Sequence, residues 1–154
     1  MNQRKLAKVL MFAGALAVAG VAFMLYALPL ALLIRGRGTL YSLTHMALGV
    51  PYMAALWQYF RICKNIGDDR SFCMENARRM DAVAGLLFLD SGLWAALLAL
   101  QLLSGGAVSG YAAIVVIEIV LALMATLAVG LVAKMMALLV GRSSRLQEEN
   151  DLTI

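Results

Sequence analysis

The stretch YAAIVVIEIVLALMATLAVGLVA, residues 111–133, carries one carboxylate, Glu118, in 23 residues. A helix rises about 1.5 Å per residue, so roughly 20 residues cross the ~30 Å hydrocarbon core of a bilayer. The stretch therefore reads as a membrane span, and the composition of the whole chain agrees. Hydrophobic residues make up 63% of the 154 and charged residues 14%, against about 25% charged in a soluble domain. Three more apolar runs reach spanning length, at 9–34, 40–60 and 83–103. The run 40–60 is the most polar, with Ser42, Thr44, His45, Pro51 and Gln58, and is still counted as a span.

Lipid offers no partner to bare backbone groups, so each span is expected to be a helix. The fold class is all-α: a polytopic four-helix membrane bundle forming one domain over 1–154, with a connecting loop at 61–82 and a tail at 141–154. Pro29 and Pro51 are expected to free the carbonyls of Leu25 and Ala47 and kink their helices. The first run follows Arg4, Lys5 and Lys8 as a signal peptide would. Its apolar length exceeds the 7–15 residues typical of such signals, so it reads as retained.

Eleven basic residues fall at the two ends and in 61–82, whereas the opposite side has only Arg35 and Arg37 in its first connection and none in 104–110. The positive-inside rule then places both termini and the 61–82 loop on the cytoplasmic side. The net charge of +4 follows from that topology and from anionic inner-leaflet lipid. Direct nucleic-acid binding is not expected, since no basic helix interleaved with aromatics is present.

Cys63 and Cys73 both fall on the reducing cytoplasmic side, spaced by ten and away from the single histidine. That spacing fits no zinc pattern and argues against a structural disulfide. No nucleophile–base set and no glycine-rich phosphate loop occurs, so the chain is read as a non-enzyme needing no cofactor.

The intramembrane polar residues are the candidates for function. Glu118 lies about 10 Å below the outer boundary, and a charge in hydrocarbon costs at least about 2.5–3.5 kcal/mol, so it is expected to face the bundle interior. Steps of four from it give Ala122, Thr126, Gly130 and Lys134, a small and polar stripe suited to close helix packing. Counting from Leu40 puts His45 about 8 Å below the same boundary. Two chemistries fit the pair: a neutral hydrogen bond tying span two to span four, or a protonatable pair facing an outward cavity. Asp90 lies deeper, about 20 Å from the outer boundary, with the Tyr52 hydroxyl, Thr126 and adjacent Ser91 as expected partners. In span one, Ala13, Ala17 and Gly20 make a small-residue face for packing within the bundle or against a second copy.

In KNIGDDRSFCMENARRMDAV, residues 64–83, Gly67, Asp68 and Asp69 break the outgoing helix, Ser71 caps the next and Glu75 suits its first turn. Arg78 and Arg79 fall at the headgroup boundary. The tail reverses charge from Arg142 and Arg145 to Glu148, Glu149 and Asp151, past Asn150, and ends on Leu152 and Ile154. Such a segment can lie on Arg70, Arg78 and Arg79, or be captured by another protein.

The ending L-Q-E-E-N-D-L-T-I and the run S-F-C-M-E-N-A-R-R-M resemble a bacterial family of four-helix membrane proteins, domain of unknown function twenty-nine seventy-five. The specific match rests on Phe72, Asn76, Arg78, Arg79 and residues 149–153, with Cys73 standing where that family often has Ser or Thr. The resemblance implies a gene neighbourhood shared with a small helix-turn-helix regulator of the Cro/CI type. It thus implies a membrane component of a regulatory pair. Two classes stay open: a regulatory or scaffold protein acting through its cytoplasmic face, or a small transporter or channel subunit with a polar path through His45, Glu118 and Asp90.

Overall fold

The computed structural model describes residues 3–34, 39–103 and 110–151. Arg35 and Arg37, residues 104–109 of the short connection expected at 104–110, and the tail residues Leu152, Thr153 and Ile154 lie outside the described residues. Within them the chain is helical throughout, apart from one short connection. Its elements are α1 (Gln3–Ala22), a π-helical turn (Phe23–Ala27), α2 (Leu28–Ile34), α3 (Thr39–Gly67), α4 (Met74–Leu103) and α5 (Gly110–Asp151).

The π turn has an identifiable cause. Pro29 has no amide to give the carbonyl of Leu25, and the helix widens just before it to absorb the missing bond. The widening coincides with the packing of Tyr26 over Gly49 of α3. A Cβ at Gly49 would stand 2.7 Å from the Tyr26 hydroxyl, so only glycine allows that approach. Pro51, the other expected kink, sits inside α3, which remains α-helical around it.

α5 packs along α4, α4 against α3, and α3 against α1 and α2. Leu48, Trp94 and Ile119, from α3, α4 and α5, form the buried core cluster, with Leu97, Val115 and Leu123 packed on it. α1 joins through Gly14, where a Cβ would stand 2.6 Å from the Tyr59 ring, and through the Tyr59 hydroxyl, which donates to the carbonyl of Leu10 at 2.9 Å. The expected small-residue face is therefore displaced: Gly14 makes the contact, while Ala13, Ala17 and Gly20 point outward. The large apolar side chains Phe12, Leu16, Ile117, Leu121, Leu131 and Met135 are exposed on the outer surface, as lipid solvation allows and water does not. Three helices, Gln3–Ala31, Met74–Leu103 and Ala113–Asn150, are long and apolar enough to cross a membrane.

Helices extend past the expected spans. The connection expected over 61–82 is mostly helix, and only residues 68–73 break it, because a membrane boundary by itself does not stop backbone hydrogen bonding. The break comes where Asp69 takes a left-handed φ of 58°, a conformation that Asp tolerates better than most residues. Likewise the tail through Asp151 is the end of α5, a continuous helix of 42 residues, about 63 Å long.

Candidate functional site

Near one end of the described bundle, α3 and α5 bring His45 and Glu118 together, with Nε2 3.6 Å from Oε1. His45 is buried, and its ring meets Trp94 of α4 edge to face at 5.6 Å and 81°, a favourable aromatic geometry. Glu118 is less enclosed than the sequence suggested: its side chain keeps 46% of its exposure. It lines a cleft of about 270 Å³ with Gly20, Met24, Tyr52 and Trp94. The cleft exists because, among the described residues, α1 packs on α3 and not on α5, which leaves the side of α5 uncovered. Gly20 adds to the space, since nothing lies within 4 Å of where its Cβ would be.

Asp90, one helical turn before Trp94, is fully buried. Its nearest polar neighbours are the Tyr52 hydroxyl and the Trp94 indole, but neither carboxyl oxygen meets a partner at hydrogen-bond geometry. Thr126, expected to serve Asp90, instead shares a 2.9 Å hydrogen bond with the Ser91 hydroxyl and donates to the carbonyls of Ala122 and Leu123 at 3.0 Å. Rotation about the helix axes decides this: Ser91 and Thr126 face each other across the α4–α5 seam, where Gly130 packs on the Phe88 ring. Trp94 thus stands between the two acidic residues, touching His45 on one side and neighbouring Asp90 on the other. Sequence alone hides this role, because an aromatic in an apolar run reads as lipid-facing or core.

At the opposite end, consecutive arginines diverge by the ~100° helical step. Arg79 turns toward α3: one guanidinium nitrogen donates to Gln58 Oε1 at 3.0 Å and another pairs with Glu75. Arg70 Nη2 lies 3.9 Å from the same Glu75. Arg78 turns toward α5, lining a groove of about 380 Å³ with Asp81, Lys134, Arg142 and Arg145, beside the Lys134–Asp81 ion pair. Glu148, Glu149 and Asn150 are exposed on the last turns of α5, which ends at Asp151.

The connection itself is clasped by residues that the sequence analysis did not assign this role. Asn76, fully buried, accepts from Asn65 Nδ2 at 2.8 Å and donates to the carbonyls of Arg70 and Ser71 at 3.0 and 3.1 Å. Cys73 takes the position before α4, with its carbonyl accepting from the amides of Asn76 and Ala77. Ser71, expected to cap α4, instead donates to Gln3 Oε1 at 2.7 Å and ties down the start of α1. An amide side chain in the first turn of a helix was the available signal for this clasp. Cys63 is buried in α3 and Cys73 half-buried, both as free thiols. Among the described residues no cluster of three His, Cys, Asp or Glu side chains is arranged to hold a metal.

An all-helical bundle with three helices able to cross a bilayer, a His–Glu pair on an open cleft and a polar clasp at the far end defines the class of protein. The chain belongs to the family described as "Protein of unknown function (DUF2975)", which matches it over residues 5–154. No curated protein and no solved structure matches it.

Proposed function

We propose that the chain is a non-enzymatic protein of the bacterial inner membrane that regulates or scaffolds a cytoplasmic partner. In this reading it crosses the membrane four times and keeps both ends inside. The observation that carries it is the continuity of α5: one helix bears Glu118 beside His45 and, about 45 Å further along, Glu148 and Glu149. A rotation or tilt imposed at the pair is transmitted along a rigid rod to the acidic tail.

The fourth crossing is α3. Its hydropathy is lowered by residues that face inward, Ser42 and His45 being buried, while Leu43, Val50 and Trp57 repeat every seven residues on its exposed side. That outward stripe suits lipid and the inward polar groups suit the bundle. A small helix-turn-helix regulator is the partner class that the family resemblance suggests, with the tail and the Arg78 groove as the contact surface.

Affinity capture of the intact protein from mild detergent, followed by mass spectrometry, tests the reading. A soluble regulator is expected with the full chain and lost on deleting residues 146–154; capture that survives the deletion contradicts it. One observation favours a transport role instead, namely the buried Asp90 carboxyl behind Trp94 and Tyr52. Under that reading a pH-dependent flux disappears in Asp90→Asn, and a flux unaltered by the substitution excludes it.

A further inference from the structure

Where α3 leaves its apolar stretch, a cleft of about 680 Å³ opens between α1, α3 and α4. Met11, Trp57, Arg61, Lys64, Arg70 and Arg79 line it. Two carboxylates, Asp68 and Glu75, also face it, so four cations stand against two anions. Glu75 precedes the apolar part of α4, and its hydrogen bond and ion pair with Arg79, helped by Arg70 and Arg61, hold its carboxyl below the ordinary range. It is therefore ionised at neutral pH, and the cleft keeps an excess of two positive charges.

The cleft also has fixed polar geometry. Gln58 and Glu75 hold the Arg79 guanidinium from two sides, while its buried Nε meets no acceptor. An immobilised guanidinium suits a phosphate better than a mobile ammonium does. Trp57 is 60% exposed, with the Arg61 guanidinium 5.4 Å from its ring centroid, the pairing of aromatic and cation found at headgroup level. Met11 on α1 and Phe60 on α3 supply an apolar wall on the membrane side.

We infer that this cleft binds an anionic phospholipid, its phosphates on Arg61, Lys64 and Arg79 and its acyl chains along α1 and α3. The excess of two charges matches a doubly charged diphosphatidyl headgroup of the cardiolipin type. The inference uses the membrane placement proposed above and is independent of the regulatory role. The acidic tail is the rival occupant, but among the described residues none of α5 lines this cleft, whereas Arg142 and Arg145 of α5 line the separate Arg78 groove.

Native mass spectrometry of the intact protein, supplied with equimolar cardiolipin and phosphatidylcholine, tests the site. The native chain is expected to retain cardiolipin preferentially. The double variant Arg61→Gln/Lys64→Gln, at two exposed positions, should lose retention on the order of tenfold. The control Arg142→Gln/Arg145→Gln should keep it. Equal retention of both lipids, equal loss in both variants, or a carbodiimide cross-link from Glu148 to Lys64 without bound lipid overturns the inference. Loss of partner capture with lipid still retained removes only the regulatory reading.

Discussion

His45 on α3 and Glu118 on α5 stand 3.6 Å apart while the same histidine ring leans edge-on against Trp94 of α4. Three helices consequently meet at one level through side chains of different chemistry. Because α1 leaves the α5 side of this junction uncovered, the carboxyl is held by the bundle and still reached from outside it.

The pair should couple energetically. In a double-mutant cycle of His45→Ala and Glu118→Gln, thermal unfolding in detergent should give an interaction of about 0.5 kcal/mol or more. Additive effects would mean that the two groups are neighbours without a shared interaction. His45→Ala alone should also alter Trp94 fluorescence, since it removes the edge-on ring contact.

Asp90 should be costly to stability. A fully buried carboxyl with neither oxygen at hydrogen-bond geometry carries a desolvation penalty of about 1–3 kcal/mol. Asp90→Leu, which keeps the branching and the number of side-chain heavy atoms, should therefore raise the melting temperature in detergent. A drop of several degrees would show that the carboxyl contributes a net favourable interaction.

Asn76 should be the least replaceable residue at the α3–α4 connection. Asn76→Ala removes three hydrogen bonds and should cost about 2–4 kcal/mol. Limited proteolysis reads the effect directly, with cleavage within 68–73 rising in the variant. Unchanged protection would place the strength of the clasp elsewhere.

The two glycines of α1 should behave oppositely. Gly14→Ala drives a Cβ to 2.6 Å from the Tyr59 ring and should destabilise by about 1–3 kcal/mol through overpacking. Gly20→Ala meets nothing within 4 Å and should be neutral, or stabilising by up to about 1 kcal/mol, from helix propensity. Equal effects on melting temperature would contradict the docking of α1 through Gly14.

The helices were legible because their apolar runs are long, and a fixed rise per residue assigns each polar group a depth. Depth alone puts His45 and Glu118 at one level. It gives only one coordinate, however, and rotation about each axis comes from packing that the sequence does not display. Hence Thr126 was matched to Asp90 by level although it faces Ser91, and Glu118 was expected to be enclosed although α1 stands clear of α5. The helical tail was hidden for another reason: its charge reversal reads as solvated coil, and nothing local announces that α5 continues unbroken. At the connection, Gly67 and the Asp pair signalled the break, but the Asn65–Asn76 clasp depends on two helices meeting, and the amide of Asn76 in the first turn of α4 was its one local sign.

The account depends most on α3 crossing the membrane as the fourth span, because that alone brings both ends to the same side. Single cysteines introduced as Gln3→Cys and Glu148→Cys, in a chain also carrying Cys63→Ala and Cys73→Ala, can be labelled with a membrane-impermeant maleimide in spheroplasts. Both positions should label only after permeabilisation. Labelling of one end in intact spheroplasts would leave three crossings and contradict the account.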